Sequence, residues 1–298
     1  MKTLIILVFG LTVVLAGCGG EKPDTAGYRA EIEKWRSERL ERLKSRNGWL
    51  NLAGLYWLHD GMNSFGSDSS NEIVFPVNAP LFIGTLELKD DTVYLRDTRQ
   101  PVLVNGFPVS NIKLADDSSD KPSISELDSF VWTIIKRDNR YGIRLRDLKS
   151  PLIRSLTHIP HFETDEKYRV VARFFPYNTP EKYKVQTIIG TEEESLVPGE
   201  LHFRLGRKNY VLYPFAEEGR LFLVFGDRSN GDETYPSGRF LYMDGPDENE
   251  RVIVDFNKAY NPPCAFTPFA TCPLPVKKNI IAISINAGEK MIHISLKP

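Results

Sequence analysis

Between Trp49 and about Asp147, apolar residues recur at every second position in short runs, and turn-forming pairs interrupt them. Val93 and Leu95 alternate with Thr92, Tyr94 and Arg96, while Tyr141, Ile143 and Leu145 alternate with Gly142, Arg144 and Arg146. Successive side chains of a strand point to opposite faces, so a period of two marks strands with one buried face. Val131 to Ile135 reads as a buried strand, and Asp60-Gly61, Asn105-Gly106 and Asp138-Asn139 supply turn chemistry. Many short strands at this spacing predict a β-sandwich.

One convincing helical period precedes this region, over Tyr28 to Arg46. Tyr28, Ile32, Trp35 and Leu43 fall on one face, Leu40 flanks them, and Glu38 and Arg42 stand at a favourable i,i+4 spacing. Asn47-Gly48 ends the helix, since both residues tolerate a left-handed cap. The helix is expected to pack on the first β domain. From about Leu152 onward the pattern is again β. Leu201, Phe203 and Leu205 alternate with His202 and Arg204, and Leu221 to Phe225, Val252 to Phe256 and Ile280 to Ile285 read as buried strands. Ile292, Ile294 and Leu296 read as a closing strand, paired with Ile280 to Ile285 through the Gly-containing loop Asn286 to Lys290. The predicted fold is mainly β: two β-sandwich or barrel-like domains preceded by one N-terminal amphipathic helix. Residues 26–48 would hold the helix, 49–150 the first domain and 151–298 the second.

The first eighteen residues, MKTLIILVFGLTVVLAGC, combine a charged start, a short apolar run and small residues. A run of twelve is short for a bilayer span, which takes about 20 residues, and the pattern describes a secretory signal. Leu15-Ala16-Gly17-Cys18 resembles the bacterial lipobox, which implies cleavage before Cys18 and a lipid on that cysteine. Gly19, rather than an Asp, follows, and the expectation is an envelope lipoprotein of the outer membrane. Residues 19–25 would be its tether. The formal net charge is −1 with Lys and Arg scattered along the chain, which argues against a nucleic-acid partner.

Within the first β region, Phe65 to Phe75 and Val93 to Ser110 resemble a degenerate forkhead-associated domain, with Asp97 and Val104-Asn105-Gly106 as the closest matches. That resemblance implies a fold only. Where phosphothreonine-reading members carry Arg, this chain has Ser67 after Gly66, and no Ser-x-x-His element follows.

Polar residues gather between Phe225 and Asn279, at the ends of apolar strands, where loops on a β scaffold commonly carry function. Asn230, Thr234, Tyr235, Arg239, Asn257, Tyr260 and Asn261 are the candidate ligand-binding residues, and Asp227, Asp255 and Glu289 the candidate acids and bases. The same residue types also cap turns. The runs Asp227 to Tyr235, Asp255 to Asn261, Pro263 to Pro275 and Ala287 to Lys290 resemble the bacterial domain-of-unknown-function family 1684. Gly48 to Leu55, Arg173-Phe174 and Pro176-Tyr177 fit as well. The resemblance implies a motif and a fold, with no reaction attached.

Cys264 and Cys272 lie in the proline-rich segment YNPPCAFTPFATCPLP. In an oxidising envelope the first expectation is a disulfide, worth roughly 2–3 kcal/mol across so short a loop. Three other readings stay open. The pair could take a metal with His158 and His161, act as a nucleophile with a base such as His202, or stay buried and unpaired. No cofactor and no metal is expected overall. Two functions remain. One is a lipid-anchored binding protein with a small-molecule, glycan or envelope-protein partner, its pocket in the C-terminal domain. The other is an envelope hydrolase in which Asp227, Asp255 and Glu289 are acid and base, Arg239 clamps an anion, and Tyr235 or Tyr260 positions substrate. The sequence has no Ser-nucleophile elbow, HExxH or P-loop.

Overall fold

The structure, a computed structural model, describes residues 25–294. The signal segment with Cys18, nearly all of the expected tether, and Leu296 lie outside the described residues. The described chain is mainly β, with one long helix at its start. No helix among the described residues is long and apolar enough to cross a membrane.

Helix α1 runs over Thr25–Lys44. Its exit differs from the expected left-handed cap, because neither Asn47 nor Gly48 has a positive φ. Gly48 is needed for a different reason: a Cβ there would lie 2.0 Å from the Leu43 carbonyl oxygen. The helix also docks elsewhere than predicted. Its polar side chains reach the C-terminal half: Tyr28 donates to Asp255 Oδ1 (2.8 Å), Arg36 to the Phe162 carbonyl (2.9 Å), and Arg39 to the Asn261 carbonyl (3.0 Å). Leu43 and Leu50 pack with Ile159 and Phe266 beneath it. The apolar stripe tells which face is buried; the partners of Tyr28, Arg36 and Arg39 decide on which body.

The first body comprises β1 (Leu52–Trp57), β2 (Gly61–Gly66), β3 (Ile73–Val74), β4 (Gly84–Lys89), β5 (Thr92–Arg96), β6 (Leu103–Val104), β7 (Phe107–Pro108), β8 (Ile112–Leu114), β9 (Ser125–Leu127), β10 (Phe130–Arg137) and β11 (Arg140–Asp147). They form a sheet ordered β1-β11-β10-β9-β6-β7 and another ordered β3-β2-β4-β5-β8. Phe65, Leu86, Leu95, Trp132 and Ile143 fill a shared core, as the two-residue period requires. Asn105 (φ 51°) and Gly106 (φ 83°) make the β6–β7 turn in the left-handed conformation that the pair favours.

After a short helix, α2 (Pro151–Ser155), the second body follows. Its strands are β12 (Arg169–Gln186), β13 (Glu192–Leu205), β14 (Lys208–Leu212), β15 (Phe215–Glu217), β16 (Arg220–Phe225), β17 (Arg239–Met243) and β18 (Arg251–Asp255). One sheet is ordered β14-β13-β12-β18 and the other β15-β16-β17. Together they curve around a core that includes Leu201, Leu223, Phe225, Leu241, Val254 and Ile285.

Beyond Asp255 the chain is irregular. Neither Ile280 to Ile285 nor Ile292 to Ile294 is a strand, and the expected closing hairpin does not form among the described residues. Main-chain bonds to the segment after β16 take over the work of a ladder there: the Gly226 amide donates to the Asn279 carbonyl (3.1 Å), the Ile281 amide to the Gly226 carbonyl (2.7 Å) and the Arg228 amide to the Ile283 carbonyl (3.2 Å). Asn279 accepts from the Tyr213 amide (2.8 Å) and donates to the Tyr213 carbonyl (3.0 Å) and the Val224 carbonyl (3.2 Å). Ile281 and Ile285 are buried in this way without a strand partner on each side.

Candidate functional site

The polar residues singled out by sequence do converge, but into buried networks. Past the end of β16, Asp227 Oδ2 accepts from Arg239 Nη2 at 2.8 Å, and neither side chain has any exposure. Asp227 Oδ1 accepts from the amides of Ser229 (2.8 Å) and Ile285 (3.3 Å). Arg239 also donates to the carbonyls of Ile285 (2.8 Å) and Ala287. The pair therefore fastens the irregular segment 285–289 to β17. Burial lowers the Arg239 pKa, opposed by the charge of Asp227. Asn230 holds the same turn, accepting from the Asp227 amide (2.6 Å) and donating to Thr234 Oγ1 (3.0 Å) and the Tyr235 carbonyl (2.9 Å). Tyr235 donates to the Cys264 carbonyl at 3.0 Å.

A second network ties down the segment entering the proline-rich loop. Asp255 Oδ1 receives Tyr28 and the Asn257 amide (3.1 Å), and Asn257 brackets Asp165 through both its amide donor (2.9 Å) and its oxygen (3.0 Å). Glu289, fully buried, accepts from the Asn261 amide at 2.7 Å and pairs with Arg39 Nε at 3.2 Å. Burial raises the Glu289 pKa, and Arg39 opposes the rise. Asn261 donates to the Lys290 carbonyl at 2.8 Å. The Ala287 to Lys290 turn requires glycine, since Gly288 has φ 78° and a Cβ there would lie 2.3 Å from the Ala259 carbonyl oxygen. These contacts satisfy an irregular backbone that has no sheet to satisfy it.

Open space lies elsewhere, and one such cleft is between α1 and the second body. Two cavities of about 580 and 600 Å³ share Arg39, Trp49, Tyr242 and Tyr260. Trp35, Arg42, Arg220 and Lys258 complete the walls of the first, and no carboxylate lines it. Glu193, Glu217, Phe222, Phe240 and Cys272 are among the walls of the second, and Pro263, Thr271 and Pro273 give it a side made of the proline-rich segment. Of the candidates, only Tyr260 and Cys272 line this cleft; Asp227, Asn230, Thr234, Tyr235, Arg239, Asp255, Asn257, Asn261 and Glu289 line neither cavity.

The cleft residues sit where they do for local reasons. Trp35, Arg39 and Arg42 follow one another at spacings of four and three, so they share one face of α1. The guanidinium carbon of Arg39 lies over the Tyr260 ring (4.4 Å from its centroid) and that of Arg220 over the Tyr242 ring (4.3 Å), and the two tyrosines are within 14° of parallel. Tyr242 donates to Glu217 at 2.8 Å. Burial first raises the pKa of both hydroxyls, so they stay protonated. Sequence reasoning missed Arg39, although it interrupts the apolar stripe four residues after Trp35 and four before Leu43. An arginine there must be buried, and a buried arginine needs a partner. Arg42 was legible only as the i,i+4 partner of Glu38 and Trp49 only within the family-like run Gly48 to Leu55, while Arg220 and Tyr242 carried no local signal.

Cys264 and Cys272 are free thiols here, not the expected disulfide. The Cys264 amide donates to Cys272 Sγ at 3.1 Å, so that sulfur serves as a backbone acceptor. The hydrogen bond with Cys272 lowers the Cys264 pKa, whereas burial raises that of Cys272. Among the described residues, no group of three or more His, Cys, Asp or Glu is arranged to hold a metal. His202 is engaged with Glu200 at 2.6 Å, and His158 and His161 lie ring to ring at 6.3 Å.

Residues 154–290 match the model of a family described as a protein of unknown function, DUF1684. The match supports the family reading for that segment, a little under half of the chain, and contains the four motif runs from Asp227 to Lys290. Gly48 to Leu55 lies outside it. A solution structure of an uncharacterized protein from Haloarcula marismortui is 28% identical, covering 47% of this chain and 80% of that one at a TM-score of 0.40. The FHA domain of FhaA is 16% identical, covering 31% of this chain and 97% of that domain at a TM-score of 0.21. No curated protein matches the chain.

Proposed function

We propose that the protein binds a small anionic ligand with a flat face, such as an acidic sugar, in the cleft between α1 and the second body. The observation that supports this is the lining of the first cavity: Arg39, Arg42, Arg220 and Lys258, four aromatic rings, and no carboxylate. Its volume of about 580 Å³ is within the usual range for small-molecule sites. Rings held parallel offer a platform for a flat ligand, and the cations would orient its charge. A hydrolase using Asp227, Asp255 and Glu289 has less support, because those carboxylates are committed to Arg239, Tyr28 and Arg39. The same proposal places the protein in the envelope, held by lipid on Cys18, on the strength of its lipobox-like sequence. Labelled palmitate should then enter the parent protein and not a Cys18→Ser variant; equal labelling, or none in the parent, refutes the anchor.

Trp35 and Trp49 line the first cavity, so intrinsic fluorescence reports occupancy. Glucuronate or glucose 6-phosphate should quench it saturably and glucose should not, and the Arg42→Ala/Arg220→Ala double variant should lose the response. Equal binding of glucose, or no saturable response to either acid, refutes the reading.

A further inference from the structure

We propose that Arg39, Arg42 and Arg220 form a site for a phosphomonoester dianion at the cationic end of the cleft. This rests on the anionic-ligand reading and narrows it to one chemical class.

The three guanidiniums are held in different ways. Arg39 is 7% exposed, yet it lines both cavities. Glu289 takes its Nε (3.2 Å) and the Asn261 carbonyl its Nη2 (3.0 Å), while its face rests on Tyr260. Arg220 is laid on Tyr242. Its cross-strand partner Glu217 gives its carboxylate to the Tyr242 hydroxyl (2.8 Å), so that acid is already engaged. Arg42 reaches its nearest carboxylate, Glu38, only at 3.8 Å, and both side chains are more than half exposed. Lys258, on the same cavity, is held by Glu31.

Charge balance then separates ligand classes. Partial burial lowers the Arg42 pKa first, and the charge of Arg39 lowers it next; Glu38 pulls the other way, and Arg220 adds a smaller lowering. Arg42 thus stands in the field of Arg39 and Arg220, and Glu38 offsets their repulsion only in part. A dianion relieves that repulsion more than a monoanion does. Guanidiniums held over rings, Arg39 on Tyr260 and Arg220 on Tyr242, are also preorganised to donate to a tetrahedral oxyanion. A sugar ring carrying the phosphate would have the aromatic platform beside it.

The test compares phosphate with carboxylate on one scaffold. Glucose 6-phosphate should bind at least about tenfold more tightly than glucuronate, and inorganic phosphate should compete with it. Affinity for glucose 6-phosphate should rise from pH 5.5 to pH 7.5 as its second proton leaves near pH ~6, while affinity for glucuronate stays flat. Arg42→Ala and Arg220→Ala, both at exposed positions, should each weaken phosphate binding by about tenfold or more. Phosphatidylcholine vesicles with and without phosphatidic acid distinguish a lipid phosphate from a soluble one. Tighter binding to the phosphatidic acid vesicles than to glucose 6-phosphate would keep the dianion and assign it to a lipid. Glucuronate binding as well as glucose 6-phosphate, or a flat pH profile for both, overturns the phosphate inference and leaves the anionic-ligand reading standing. No response to any of these probes overturns both.

Discussion

Replacing Asp227 by Ala separates a structural role from a binding role at the most conspicuous buried charge pair. Asp227 and Arg239 have no side-chain exposure and sit 2.8 Å apart, so Asp227→Ala leaves a guanidinium buried without its counter-charge. Breaking a buried pair by removing one partner costs about 3–5 kcal/mol. For a unit of this size that lowers Tm by roughly 6–20 °C, at 2–4 °C per kcal/mol. Thermal unfolding by circular dichroism, with a urea titration to check that the slope is unchanged, measures it. A double variant, Asp227→Leu with Arg239→Met, removes the charge problem but also strips the donors from the Ile285 and Ala287 carbonyls. It should recover part of the loss, with a residual cost of about 1–3 kcal/mol for each carbonyl left unsatisfied. Quenching of Trp35 and Trp49 by bound ligand should survive in whatever fraction stays folded. An Asp227→Ala protein within about 1 kcal/mol of the parent that has lost ligand binding would refute this reasoning and return Asp227 to the binding site.

Three further outcomes follow from named groups. Burial first, then the charge of Arg36, lowers the His161 pKa from 6.5 to about 4. The folded state therefore favours the neutral ring: its contribution is complete above pH 6.5 and is lost as pH falls toward 4, by about 3 kcal/mol at most. Urea midpoints across that range should show the loss in the parent and a flatter profile in His161→Gln. In the reduced native protein, alkylation followed by peptide mapping should label Cys264, the less buried thiol with the lowered pKa, and spare Cys272 until unfolding; equal rates would contradict the assigned environments. Tyr28→Phe removes a hydroxyl that links Asp255 and Asn257, at a cost of about 1 kcal/mol, and amide exchange should speed up in the first turns of α1 and not in β17.

The strands were legible where one face is buried and the other wet. Val93, Leu95, Tyr141, Ile143 and Leu145 are buried, with less buried Tyr94, Arg96 and Arg144 between them. Such alternation is written directly into the order of the residues. Ile280 to Ile285 misled for the complementary reason. An apolar run announces burial, but a ladder is only one way to satisfy the backbone that comes with it. Here main-chain bonds to Gly226 and Arg228 do that work, and the buried Asp227 carboxylate accepts from the Ile285 amide. The destination of α1 was equally hidden, since periodicity fixes a buried face and is silent on which of two β bodies covers it.

The candidate site illustrates a deeper ambiguity. Asp, Asn, Glu and Arg at strand ends are what a cleft needs, and they are also what a long irregular segment needs when its peptide groups are buried. Sequence spacing is the same in both cases; exposure differs. Arg239 and Glu289 are fully buried, so their charges are spent inside the fold. The exposed charges, Arg42 and Arg220, come from elements far apart in the chain and meet only after α1 docks. That docking has a consequence for what the family-matched segment can do by itself. Residues 154–290 contain Arg220, Tyr242, Lys258 and Tyr260, but Trp35, Arg39, Arg42 and Trp49 come from outside it. Arg39 supplies the counter-charge to Glu289, so without α1 that fully buried carboxylate would have to be protonated or left unpaired. The N-terminal helix is thus a structural part of the second body and one wall of the cleft, which ties the integrity of the fold and the completeness of the proposed site to the same ion pair.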